Sequence, residues 1–209
     1  RPTATPQFFP LTITGSNGDS VVIESSPHRI VAFDSAAVEI LFAIGEGERL
    51  VGTHDFVSYP PGLEKITKLG GAFNMNLEKT VALEPDLVYV FFDTFLPDLE
   101  RVGLKVLYIE TLDENFLKVA DQIRMWGQIT ESNEVAEIVA SDFESRVRRI
   151  EEQMANYSTG PSIFQDVGDF WTPGSDTLVN EVFELLKLQN IAHDITGYAQ
   201  LSPEIIVER

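Results

Sequence analysis

The sequence contains no cysteine, which removes disulfides, thiolate metal sites and cysteine nucleophiles together and fits an exported protein. Basic residues are scarce: 15 lysines and arginines stand against 33 aspartates and glutamates, a formal net charge of −18. Such a chain offers no basic stripe to a phosphate backbone and is repelled by anionic membrane surfaces, so neither nucleic acid nor lipid headgroups are expected partners. Repulsion between copies points to a monomer. Long apolar runs are missing too; none reaches the roughly 20 residues that span a bilayer, and none reads as a signal peptide. With three histidines and no His-x-x-x-His pair, a protein-held zinc site is not expected. There is no Gly-x-Ser-x-Gly elbow, no Gly-Lys-Ser/Thr phosphate loop and no Gly-x-Gly-x-x-Gly; Gly45-Glu46-Gly47 follows a helix instead of opening one. No catalytic residues are assigned, and an α/β enzyme is the least supported class.

What is present is ordinary for a soluble globular chain. The 209 residues are 44% apolar and 23% charged, enough for one large domain or two lobes. Arg1-Pro2-Thr3-Ala4-Thr5-Pro6 reads as a linker. The expectation is a mature chain from which an export or lipid-anchor segment has been removed. After a hairpin over Leu11 to Ile23, turning at Ser16-Asn17-Gly18-Asp19, strands and helices alternate. Strands are predicted over Ile30–Phe33, Leu50–Thr53, Leu87–Phe92 and Lys105–Ile109, and helices over Ala36–Ile44, Leu77–Leu83 and Leu96–Val102. Alternation of this kind predicts a mostly parallel sheet.

From Glu114 to Tyr157 the chain has almost no breaker apart from Gly127 and the polar Thr130-Glu131-Ser132-Asn133. Val135, Ile138, Val139, Phe143, Val147, Ile150 and Met154 recur at three- and four-residue steps, a helical stripe. From Glu131 to Tyr157 it would make a rod of roughly 40 Å at 1.5 Å per residue, long enough to bridge two lobes; a coiled-coil dimer competes with that reading. Strand and helix then return at Ser162–Phe164 and Asp176–Leu188, and Leu178 to Leu185 repeats the apolar spacing of Ala37 to Ile44. The predicted fold is therefore α/β, two lobes with mostly parallel sheets joined by one long rigid helix. The expected division is a linker over 1–10, an N-terminal lobe over 11–125, a connecting helix over 126–158 and a C-terminal lobe over 159–209. The helix begun at Ser202 lacks the buried strand that follows its counterpart at Pro85-Asp86, so a truncated second lobe is expected.

Two stretches match across the halves. Asn76-Leu77-Glu78 and Ser202-Pro203-Glu204 each place a glutamate just after a capping residue at the start of an apolar helical run. Both glutamates would complement the helix dipole, and both are candidates for a shared charged feature.

Taken with Pro27-His28-Arg29-Ile30-Val31, Glu39 to Gly45, Tyr59-Pro60-Pro61, Ala82 to Val88, Gly174 and Asn190-Ile191, these segments resemble the class III substrate-binding proteins of ABC importers for cobalamin, ferric siderophores and haem. The resemblance runs over nearly the whole chain from about Phe9. It implies two α/β lobes on a rigid helix, a ligand held in the cleft between them, no resident cofactor, and a periplasmic or extracytoplasmic, lipid-anchored location. Glu78 and Glu204 then match the glutamates that dock on permease arginines, one per lobe. Phe56, Phe91, Trp171 and Tyr198 match positions where corrinoid-binding members cage their cargo with aromatics; packing in the core is the competing reading for each. Ala72 stands where an aromatic is expected, and Phe73 beside it is the candidate substitute. Asp34 and Ser35 either line the cleft or cap the following helix. His54 either faces the cleft, as an axial ligand to a cargo cobalt or iron, or is structural, whereas His28 reads as a surface residue and His193 as structural. A corrinoid is the expected cargo, with a ferric siderophore or haem as the alternative and a sensory or interaction module as the different-class reading.

Overall fold

The computed structural model describes residues 8–110 and 118–209. The Arg1–Pro6 linker and the start of the breaker-poor stretch at Glu114 lie outside the described residues. The chain divides into two units. The first comprises the chain up to residue 111 together with Gln122–Val139, and the second takes residues 112–121 and Ala140–Arg209.

The first unit opens with the antiparallel hairpin of β1 (Leu11–Thr14) and β2 (Ser20–Ile23), in register Leu11 to Ile23 and Thr14 to Ser20. β3 (Ile30–Phe33) follows, buried along its whole length as a central parallel strand must be. Asp34 caps α1 (Ser35–Ala43), accepting from the Ala36 amide at 3.1 Å. The helix ends where Gly45 takes φ 84°, with the Glu46 amide donating back to the Leu41 carbonyl. Then come β4 (Leu50–Thr53), β5 (Thr67–Lys68), and the small hairpin of β6 (Gly70–Gly71) and β7 (Asn74–Met75). α2 (Leu77–Ala82), β8 (Leu87–Val90), α3 (Leu96–Arg101) and β9 (Val106–Tyr108) complete the succession. The main sheet has order β5-β4-β3-β8-β9 with every pair parallel, as the alternation predicts. Val31, Phe33, Leu69, Val88, Val90, Leu99 and Tyr108 form its core.

α4 (Lys118–Thr130) and α5 (Asn133–Met154) follow, and the boundary between the units falls inside each of them. The apolar stripe found in the sequence lies in α5, whose 22 residues make a rod of about 33 Å. Residues 126–158 are not one helix, however. Glu131 takes the left-handed region at φ 62°, and the Ser132 amide donates to the Gly127 carbonyl at 2.8 Å, which closes α4 with a Schellman-type turn. Ser132 then accepts from the Ala136 amide at 2.9 Å as α5 begins. The corner is tight at Gly127, where a β-carbon would stand 2.3 Å from that of Ala136. Arg49 ties the end of α4 to the sheet. Its guanidinium donates to the Pro27 carbonyl at 2.7 Å and the Thr130 carbonyl at 3.2 Å, and pairs with Glu46.

The second unit holds β10 (Ser162–Ile163), β11 (Trp171–Pro173), α6 (Leu178–Leu185), β12 (Gln189–Asn190), β13 (Tyr198–Gln200) and α7 (Pro203–Glu208). β10 and β12 pair parallel, but β11 and β13 pair antiparallel, so the expectation of mostly parallel sheets fails in this unit. The antiparallel pair escaped the sequence reading because Trp171-Thr172-Pro173 carries a proline, which ordinarily marks a loop or an edge. The expected truncation of this lobe finds no support in its fold. Buried Asn190 organises the unit: its amide donates to the Pro173 carbonyl (3.0 Å) and to Asn180 Oδ1 (2.9 Å) and its oxygen accepts from the Ala192 amide (2.9 Å). Ile191, Ala192 and Leu201 form the small core beside it.

Candidate functional site

In the first unit the candidate residues gather at the carboxyl ends of parallel strands. Asp34 and Ser35 follow β3, His54 follows β4, and Phe91 follows β8. Ligands of open parallel sheets bind at that end, because the loops there diverge and expose backbone and side chains.

His54 is at the centre of the group and only 5% exposed. Its Nε2 lies 3.2 Å from the Ser35 hydroxyl, while Nδ1 is enclosed without a hydrogen-bond partner. Neither nitrogen is presented to a cargo metal in this arrangement. Burial, and then the charge of Lys68, hold the imidazole below its usual value of 6.5 against the pull of Asp55. The neutral ring packs edge-on to Phe33 at 5.6 Å and tilts against Phe56 at 6.2 Å and Phe91 at 6.5 Å.

The aromatic chain continues outward. Phe91 and Phe92 have ring centroids 4.3 Å apart, and Phe73 stands 5.0 Å from Phe92 and 6.4 Å from Phe91. Phe56 is 73% exposed and Phe73 76% exposed, although both are large apolar rings. The loops that carry them are tied together, because the Asp55 amide donates to the Gly70 carbonyl (2.8 Å) and the Gly70 amide donates to the Asp55 carboxylate (3.1 Å). Gly70 has φ 110°, and a β-carbon there would meet the Asn74 carbonyl oxygen at 2.3 Å, so the hairpin requires glycine. The result is an aromatic wall in which Phe56 and Phe73 are exposed while Phe91 and Phe92 are half-buried, Phe91 packing against the sheet core, with His54 behind it.

Asp34 does not join the wall through a bond to it; its carboxylate caps α1, and burial raises its pKa above the usual 3.8. Lys68 is turned to backbone oxygens, donating to the carbonyls of Val57 and His54.

In the second unit Trp171 and Tyr198 come together on the antiparallel pair of β11 and β13. Trp171 is opposite Gln200 and Tyr198 opposite Pro173, so period-two alternation puts both aromatics on one face. They are 44% and 50% exposed. Glu78 and Glu204 occupy the same place in their helices, two residues after the cap, and both are exposed. Asn76 accepts from the Lys79 amide at 2.9 Å and Ser202 from the Ile205 amide at 3.4 Å. The Glu204 carboxyl is held below its usual range by its own backbone amide and then by the Ser202 hydroxyl.

The structure adds Phe92 and Phe170 to the aromatics singled out from sequence. Phe92 had been absorbed into the strand Leu87–Phe92, but β8 ends at Val90, so the apolar run outlasting the strand was the available signal. Among the described residues there is no group of three or more histidines, aspartates and glutamates placed to hold a metal ion.

The description "Periplasmic binding protein" matches residues 30–209, and the chain belongs to that family. It is 30% identical, over 97% of its length, to the uncharacterized ABC transporter substrate-binding lipoprotein YvrC of Bacillus subtilis. It is 26% identical, over 96% of its length, to a cobalamin-binding protein of Halobacterium salinarum. The chain spans 67% of the first relative and 57% of the second. Among solved structures, the periplasmic vitamin B12 binding protein BtuF of Vibrio cholerae superposes with a TM-score of 0.78 at 24% identity, covering 88% of this chain and 73% of that one. At that identity the likeness speaks for the fold. Membership in a family of binding proteins makes this chain a carrier and not a catalyst.

Proposed function

We propose that the chain is the substrate-binding component of an ABC importer, working outside the cytoplasm on a lipid anchor, and that its cargo is a corrinoid. The observation that carries the cargo is the wall of Phe56, Phe73, Phe91 and Phe92, with two phenylalanines more exposed than an unliganded core would leave them. Flat rings bury the area of a macrocycle without demanding many polar partners. Trp171 and Tyr198 supply a second aromatic surface in the other unit. Lys68, beside His54, is engaged by the His54 and Val57 carbonyls, which favours a cargo without strong negative charge. His54 serves as a neutral member of the wall, and Asp34 holds the helix behind it. Glu78 and Glu204 dock on arginines of the permease, where two exposed carboxylates suit two guanidinium forks.

Ala72 favours a second reading within the same family, haem or a ferric siderophore, because an aromatic is expected there for a corrinoid. Titrating the protein with cyanocobalamin and with haemin, while following tryptophan fluorescence, separates them. Trp126 is fully buried beside Tyr89, so quenching that disappears in Trp171→Phe reports the proposed site. Saturable quenching by cyanocobalamin is expected; a response to haemin alone would shift the cargo to the second reading.

A further inference from the structure

Asp169 and Phe170 both take the left-handed backbone region, at φ 50° and 63°. The Trp171 amide donates to the Gly168 carbonyl at 2.9 Å. Together these make a type I′ turn, whose central positions ordinarily carry asparagine, aspartate or glycine. Aspartate tolerates the conformation, but phenylalanine brings its β-carbon against the neighbouring carbonyl, a clash glycine avoids.

The turn is held in place from several directions. Asp166 Oδ1 accepts from the Gly168 amide at 2.8 Å and from the Phe170 amide at 3.0 Å. The Gln200 side chain donates to the Asp169 carbonyl at 2.8 Å, and the Leu201 amide to the Phe170 carbonyl at 3.0 Å. The Val167 amide closes the set on the Trp171 carbonyl at 2.9 Å. Strain of this kind persists where surrounding bonds over-determine it, and it collects at functional sites. Core packing does not account for the phenylalanine, because Phe170 is 44% exposed, as much as Trp171 next to it.

We infer that Phe170 is a further ligand-contacting residue of the second unit, and that Asp166 is the positioning residue that fixes Phe170 and Trp171 for binding. This rests on the reading that the chain captures a planar macrocycle. A rigid turn presents adjacent aromatics without loss of loop freedom on binding, which raises affinity by preorganisation. The chemistry selected is a flat, largely apolar face, the same class that the phenylalanine wall of the first unit accepts.

Equilibrium dialysis against cyanocobalamin and against haemin tests this on the full chain. Phe170→Gly relieves the backbone strain, so its melting temperature should hold or rise while affinity falls by about tenfold, the loss ordinarily seen when a central contact is truncated. Asp166→Ala should weaken binding by a similar factor, and Asp166→Asn, which keeps Oδ1 as an acceptor, should restore it. Phe170→Gly binding like wild type overturns the contact role, and Asp166→Asn as weak as Asp166→Ala overturns the positioning role. If wild type binds neither macrocycle, the proposed function falls and this inference with it; wild-type binding with unaffected variants sinks the inference alone.

Discussion

His54 shows what a single side chain does at this site. It is enclosed, bonded through Nε2 to Ser35, and surrounded by phenylalanine rings. Its folded pKa lies below 6.5, from burial first and from Lys68 second. A proton therefore binds the unfolded chain more readily. The stability linked to this group is complete above about pH 6.5 and is lost as pH falls toward the folded value. Unfolding by urea at about pH 7.5 and about pH 5 should show a larger loss for wild type than for His54→Phe, which keeps the ring packing and cannot titrate. Equal losses would show that the imidazole does not govern the wall. At this scale the sequence was only partly legible. Phe56 and Phe91 could be read from the family pattern and Phe73 only as a neighbour of the departure at Ala72, but their convergence with Phe92 depends on two loops joined by Asp55 and Gly70, which no local spacing reveals. Asn190 was legible only as part of a resemblance; its work, satisfying three buried backbone and side-chain groups, needed the folded unit.

Elements were read best where one force dominates. Ile30–Phe33, Leu50–Thr53 and the Leu87–Val90 part of its run are buried apolar strands, and burial alone writes them into the sequence. The polar Thr130-Glu131-Ser132-Asn133 marks the corner between α4 and α5, but the expected helix over 126–158 runs through it, because the left-handed residue is Glu131 and not glycine while Gly127 sits inside α4. Gly127 is there for close approach to Ala136. Gly127→Ala should therefore lower stability by about 1–3 kcal/mol through overpacking, even though alanine gains about 1 kcal/mol in helix propensity. In a thermal melt that is a fall of roughly 2–4 °C per kcal/mol, partly recovered by adding Ala136→Gly. A melting temperature that rises would mean the corner opens at no cost.

In the proposed function, charge and aromatic surface divide the work of the whole molecule. The net charge is −18, and if Glu78 and Glu204 dock as proposed, these rim carboxylates set association rate and register more than affinity. Reversing Glu78 and Glu204 to arginine together should abolish uptake in a transport assay while leaving cargo affinity unchanged. Weakened cargo binding in that double variant would place the two glutamates at the ligand and not at the permease. The central claim is capture of a corrinoid on apolar rings, and calorimetric titration of cyanocobalamin into the full chain at several temperatures tests it most directly. The account predicts saturable one-to-one binding with a negative heat-capacity change, the mark of apolar surface leaving water, and a large loss of affinity when Phe56 and Phe73 are both changed to alanine. No binding heat at any temperature, or binding indifferent to those two rings, would contradict it.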